Sequence, residues 1–173
     1  RLQPLDLNAL INDVLQLYGV ENAPVPVRAE LDPECLPVLA DAQQMRQVIH
    51  NLLQNAQDAQ QQQTAGETRE PVLIHTQWRP ATQRVRLTVC DTGPGFPENI
   101  LQRAFEPYVT TKPRGTGLGL AVVKKIADEH GARITIGNRV QDGVVLGAQV
   151  SLLIPASDQP LPQDRGAEAG TMS

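Results

Sequence analysis

Two asparagines and an aspartate stand about one helical turn apart in the run HNLLQNAQDA at 50–59: Asn51, Asn55 and Asp58. At about 100° per residue they share one strip of a helix, beside a broad apolar stripe of Met45, Val48, Ile49, Leu52, Leu53, Ala56 and Ala59. A solvated polar face is the plain explanation. Asn is a poorer helix former than Gln, Lys or Glu, however, so two of them at i, i+4 suggest a purpose other than helix stability. Their amide oxygens are neutral, hard donors of the kind Mg²⁺ accepts, and that ion usually binds through few protein groups together with phosphates. A second candidate is Gly115-Thr116-Gly117-Leu118-Gly119 at the start of a helix. Backbone N–H groups freed there, with the helix dipole behind them, suit a phosphate. The cluster is not a Walker loop, since no Gly-Lys-Ser/Thr follows, and it does not follow a strand in a βαβ unit, so the dinucleotide fingerprint fails. A third is DTGPGF, Asp91 to Phe96. It is either a turn capped by its Asp or a place where backbone must come close to a ligand.

Several elements have to position these groups. Asp6 to Tyr18 has helical apolar spacing with Asp6 as N-cap, Val25 to Leu31 alternates as a strand, and Pro37 to Ala40 is a short second strand. Asp41 starts the long helix that carries the asparagines and runs to about Gln63, with Gln44 in a capping-box position. Thr64 to Glu70 is a polar turn. Val72 to Trp78 and Val85 to Cys90 read as two strands joined by a short turn. Pro97 to about Arg114 shows little regular pattern and holds three prolines. Leu118 to His130 is a second clear helix, stopped by Gly131. Arg133 to Gly137 and Val144 to Ile154 are the last strands, with a turn at Asp142-Gly143, and from Pro155 onward the composition predicts a disordered tail or linker.

The 173 residues suffice for one domain with a good core. Aromatics are only 3%, so that core is built of Leu, Val, Ile and Ala. A net charge of −4 argues against a broad nucleic-acid-binding face. Cys35 and Cys90 form no metal-type cluster, and Cys90 reads as a buried small hydrophobe.

Taken in order, HNLLQNAQDA at 50–59, DTGPGF at 91–96, FEPYVTTK at 105–112 and GTGLGLAVV at 115–123 resemble the N, G1, F and G2 boxes of one family. That family is the ATP-binding catalytic domain of bacterial sensor histidine kinases, in the superfamily shared with gyrase B, Hsp90 and MutL. The resemblance spans about residues 1–155. The run EPYVTTKPRGTGLGLAVVKKIADEHGARI is most similar to nitrogen-regulation sensor kinases of the NtrY type. The resemblance implies a two-layer α/β sandwich: a mixed, largely antiparallel sheet with helices packed on one face. It implies ATP and Mg²⁺ as ligands. Asp91 would accept a hydrogen bond from the adenine amino group, with Gly93 and Gly95 letting the chain pass close to the base and Phe96 next to them. Asn55 would be the Mg²⁺ ligand, and Asn51 would support the phosphates and the metal's waters. Asp58 would stand near the phosphates, where many relatives carry Lys or Arg. Phe105 to Arg114 would form a lid over ATP, with Thr111 at the nucleotide and Lys112 or Arg114 available to the γ-phosphate. Gly115, Thr116, Gly117, Leu118 and Gly119 would cradle the phosphates.

The implied reaction is transfer of the γ-phosphate to a histidine on a dimerising helical hairpin, for relay to a response regulator. None of His50, His75 and His130 sits in such an acceptor motif, so the hairpin is expected upstream of Arg1. Residues 1–18 are then a linker helix entering the domain, 19–155 the catalytic domain and 156–173 a disordered tail or linker. The chain alone is expected to be monomeric and to bind no nucleic acid, as the cytoplasmic domain of a parent in the bacterial inner membrane. Three other functions stay open: an ATPase of the same superfamily, a non-catalytic nucleotide-responsive module, and a serine kinase of the anti-sigma type. The ATPases carry at the first N-box position a Glu that activates water. Here that position is Asn51, which cannot act as a general base.

Overall fold

The computed structural model describes residues 1–22, 25–61, 70–103, 105 and 119–162. In chain order the elements are β1 (Gln3–Leu5), α1 (Leu7–Asn22), β2 (Val27–Glu30), β3 (Val38–Ala40), α2 (Ala42–Gln61), β4 (Val72–Arg79), β5 (Arg84–Cys90), α3 (Glu98–Arg103), α4 (Gly119–Glu129), β6 (Arg133–Gln141) and β7 (Val144–Pro155). The main sheet runs β2-β4-β5-β7-β6, and β1 pairs with β3 separately. Only β2 and β4 are parallel; the other pairs of the main sheet are antiparallel.

Strand alternation decides which face of the sheet is covered. Val72, Ile74, Val85, Leu87, Leu152 and Ile154 point to one side and are completely buried. There they form a single core with Leu10 and Ile11 of α1, Met45, Ile49, Leu52 and Leu53 of α2, and Val123 and Ile126 of α4. The two-layer α/β sandwich with a mixed, largely antiparallel sheet is thus the observed architecture. Among the described residues no helix is long and apolar enough to cross a membrane.

The helix ends explain how the layers lock together. Asp6 caps α1 by accepting from Ala9 N at 3.0 Å, and Asp41 caps α2 by accepting from Gln44 N at 3.0 Å. The reciprocal half of the expected capping box is absent. Gln44 Nε2 donates to Glu129 at 3.1 Å, and Asp41 N donates instead to His130 Nε2 at 3.0 Å. The Nδ1 of that buried ring lies 2.7 Å from Ile126 O. A histidine at the end of α4 therefore does a capping job for α2, which local sequence cannot announce. Gly131 stops α4 as expected, at φ +62°, with Ala132 N bonded to Ala127 O and Gly131 N to Asp128 O. This is a complete Schellman motif.

Four expectations need correction. Disorder does not begin at Pro155: that residue ends β7, Ala156 N donates to Gln83 O at 3.1 Å and Ser157 N to Pro37 O at 2.7 Å. Within the stretch read as patternless, Glu98–Arg103 is a helix that buries Ile100; Glu98 in its first turn and Arg103 in its last complement its dipole. β1 went unforeseen, being three residues long with a proline in it. β6 continues to Gln141, through a register shift between Arg139 and Val140. The 64–69 part of the expected turn and residues 163–173 lie outside the described residues. Cys90 is buried, as read from the sequence, and burial pushes its thiol pKa up.

The inward face of α2 is wider than its apolar stripe, because Gln57 and Gln60 are also buried. Gln57 pins the chain just before β2: Val25 N donates to its Oε1 at 2.8 Å and its Nε2 donates to Val25 O at 2.6 Å. Gln57→Leu keeps the volume but strands both backbone groups. We expect it to cost about 2 kcal/mol, read from the urea midpoint. A change within experimental scatter would show that Val25 finds other partners at no cost.

Candidate functional site

α2 is the wall on which the sequence blocks meet. Asn51, Asn55 and Asp58 lie half-buried along it, as the helical spacing predicts. Asp58 accepts from Gln54 Nε2 at 3.0 Å, one turn back on the same helix. α4 starts against Asn55: a Cβ added at Gly119 would lie 3.4 Å from Asn55 Oδ1 and 3.5 Å from its Nδ2. The next turn of α2 receives the Asp91–Phe96 loop. A Cβ on Gly93 would stand 2.7 Å from Ala59 O. Blocks some 40 and 60 residues apart thus converge within about one helical turn, ~5 Å, of α2.

The loop is held from four sides. Asp91 is buried, and its Oδ1 accepts from Gly93 N at 2.9 Å and from Ala148 N at 3.1 Å. Its main chain is fixed as well: Asp91 N donates to Ala148 O at 3.0 Å, and Arg139 Nη2 donates to Asp91 O. Thr92 N donates to Gln60 Oε1 at 3.1 Å, while Gln60 Nε2 donates to Glu70 O at 2.6 Å. Asn138 grips Phe96 at both ends of its backbone, accepting from the N–H at 2.7 Å and donating to the carbonyl at 2.8 Å. The carboxylate of Asp91 is therefore a preorganised acceptor, not a mobile side chain.

The glycines of the loop have a structural reason that the sequence could not supply. Gly95 has φ +84°, and a Cβ there would come within 2.6 Å of Val145 Cγ1 and 2.9 Å of Asn138 Oδ1. Gly93 and Gly95 thus let the loop press against α2 and against the β6–β7 hairpin. Gly147 is the tightest of the described glycines, since its Cβ would fall 1.9 Å from Asp91 O. Sequence reasoning does not find Gln60, Asn138, Arg139 and Gly147, because each meets the Asp91–Phe96 loop from at least 32 positions away. Only the Asp-Gly turn at 142–143, which folds β7 back on β6, hinted that these strands would lie together. Thr111, Lys112, Arg114, Gly115, Thr116, Gly117 and Leu118 lie outside the described residues. Phe105 packs half-buried against the core.

The arrangement is a fixed acceptor in a glycine loop, an amide row on one helix, and a second helix whose first residue is a glycine facing that row. Such an arrangement, on a two-layer α/β sandwich, is suited to a ligand with one hydrogen-bond donor and an anionic tail. Residues 40–158 match the family described as histidine kinase-, DNA gyrase B-, and HSP90-like ATPase, and the chain belongs to that family. An NtrY-like sensor histidine kinase of Rickettsia bellii (strain RML369-C) is 33% identical over 147 residues, which is 85% of this chain and 23% of the relative. The chain thus spans about a quarter of that relative's length. The catalytic domain of the histidine kinase ThkA, solved free of nucleotide, is 34% identical with a TM-score of 0.73, covering 90% of this chain and 95% of that one. ThkA has also been solved in complex with the response regulator protein TrrA. Full-length ShkA, solved in complex with AMPPNP, is 26% identical with a TM-score of 0.75, over 94% of this chain and 32% of that one. The chain is a histidine-kinase-type ATPase catalytic domain, homologous to sensor kinases.

Proposed function

We propose that this chain binds Mg²⁺-ATP against α2 and passes the γ-phosphoryl group to a histidine on a helical hairpin elsewhere in its parent protein, for relay to a response regulator. The observation that carries this is the convergence on α2, where the Asp91 loop meets Ala59 one turn beyond the point where α4 begins at Asn55. Adenine sits at Asp91, whose fixed carboxylate accepts from the amino group. The phosphates run along α2 toward the first turn of α4, where unpaired N–H groups and the helix dipole favour anions. The AMPPNP complex of ShkA and the ThkA–TrrA complex support the nucleotide and the regulator respectively.

The donor set fits a magnesium ion. Asn55 offers a neutral oxygen donor, and glycine at 119 keeps side-chain bulk away from that amide. When bound, the ion neutralises phosphate charge. Asn55 would hold it and Asn51 would orient its waters and the phosphates. Asp58, engaged by Gln54, lies beside them. Gly93, Gly95 and Phe96 shape the base pocket. Thr111 and Lys112 or Arg114 act from the lid, and Gly115, Thr116, Gly117, Leu118 and Gly119 hold the phosphates. Phosphoryl transfer needs mainly positioning and charge neutralisation, and these groups supply both. Asn51 cannot abstract a proton from water, so the chain keeps ATP for the hairpin and hydrolyses it slowly. The parent places this domain on the cytoplasmic side of a bacterial inner membrane.

Calorimetric titration with ATP, with and without Mg²⁺, tests the assignment. In Asn55→Ala, affinity with Mg²⁺ should fall at least about tenfold, roughly the 1.4 kcal/mol of one good ligand contact. Affinity without the metal should barely change. Equal losses in both conditions would take Asn55 away from the ion.

A further inference from the structure

The main sheet has a second face, opposite the helices, and its register can be read row by row. One row across β4, β5, β7 and β6 is Gln77, Arg86, Leu153 and Arg133; the next is Arg79, Arg84 and Pro155. Four arginines thus occupy two adjacent rows, and neither row contains an Asp or Glu. With strands about 4.8 Å apart and alternate residues about 7 Å apart along a strand, these residues spread over roughly 7 by 15 Å. They sit at the β4–β5 turn end of the sheet, away from Asp91 at the other end of β5.

Sheet stability does not account for this cluster. Arg79 and Arg84 are direct cross-strand partners, and like charges opposite each other destabilise a sheet. Mixed signs would be the ordinary choice for a solvated face, the more so in a chain whose net charge is −4. The local hydrogen bonds leave the charges uncancelled: Arg79 reaches Gln77 at 3.5 Å, and Arg84 donates to the carbonyls of Gly131 and Leu153 at 3.0 and 3.1 Å. Among the described residues, the Nε of Arg86 is buried with no hydrogen-bond partner. The cations are all arginine, the side chain suited to two-point binding of carboxylates. None of the exposed large apolar side chains lies in these rows, so the patch has no anchor for insertion into lipid. Nor does any aromatic residue lie there to stack on a base.

We infer that Arg79, Arg84, Arg86 and Arg133 form a docking patch for an acidic segment of a partner protein. The partner presents two or three carboxylates spaced to meet two arginine rows about 7 Å apart. The patch is separate from the nucleotide site, on the opposite face of the sheet.

The probe is poly-L-glutamate, immobilised at low salt, with the whole 173-residue chain as the analyte. Arg79→Gln, Arg86→Gln and Arg133→Gln together should weaken binding at least about tenfold. The matched control, Arg46→Gln, Lys124→Gln and Lys125→Gln on the helix layer, should weaken it less than about twofold, the size of a rim-charge effect. ATP affinity and melting temperature in the first triple variant should be unchanged or, for melting, raised, because Arg79→Gln relieves its repulsion with Arg84. Equal losses in the two triple variants would overturn the assignment. So would tighter binding to phosphatidylserine vesicles or to a 20-base-pair DNA duplex than to poly-L-glutamate.

Discussion

Asp91→Asn should lower the affinity for ATP by about 30- to 100-fold, the equivalent of ~2–3 kcal/mol for a lost hydrogen bond to a charged acceptor. Stability should change far less than binding. In the wild type, Oδ1 already accepts from Gly93 N and Ala148 N. An Asn in the same pose keeps its oxygen on those two donors. Its NH₂ group is then turned toward the base, where a donor meets the adenine amino donor. The same geometry predicts a change of preference. A purine with a carbonyl at that position accepts from the NH₂ group, so the ratio of GTP to ATP affinity should rise in the variant. Titration of both proteins with both nucleotides measures it. Unchanged ATP affinity would remove Asp91 from the base pocket, and a general loss without a shift in preference would point to a collapsed loop.

Gly147→Ala should be the most damaging single methyl group among the described glycines. It would place Cβ 1.9 Å from Asp91 O and 2.7 Å from the carbonyl carbon, and these are backbone atoms that cannot rotate away. Relief requires moving β7 or the start of the loop, against the bond from Arg139 to the same carbonyl and the pair between Asp91 and Ala148. We expect about 3 kcal/mol or more of lost stability, together with loss of nucleotide binding. Gly137→Ala is the control: it lies on β6, and a Cβ there would meet nothing within 4 Å. It should be neutral or slightly stabilising. Denaturant melts of the two variants side by side decide it, and equal stability would mean that β7 can shift without cost.

Much of this was legible in the sequence, for physical reasons. α2 and α4 announce themselves by long apolar periodicity, and the strands 72–78 and 85–90 by alternation between turn residues. The asparagine strip, the Asp-Thr-Gly-Pro-Gly loop and the glycine at the start of α4 stand out because their residue types are poor choices for stability alone. What stayed hidden is of two kinds. β1 and α3 are too short for any period to show. Gln57, Gln60, His130, Asn138 and Arg139 look like ordinary surface residues, and their work is set by backbone groups brought close only by folding. Gly147 is of the same kind: one glycine in an apolar strand, made necessary by a carbonyl 56 residues earlier.

Incubation with γ-labelled ATP, with and without a sensor-kinase hairpin carrying the acceptor histidine, tests the proposed function most directly. The chain alone should acquire no stable label, because none of His50, His75 and His130 lies in an acceptor motif. His130 in addition has both ring nitrogens within hydrogen-bonding distance of backbone groups of the fold. With the hairpin present, acid-labile phosphate should appear on the hairpin. Transfer should be slow, since separation removes the high effective concentration that a linker provides. Acid-labile label on this chain alone, or acid-stable label on a serine of the added protein, would contradict the account.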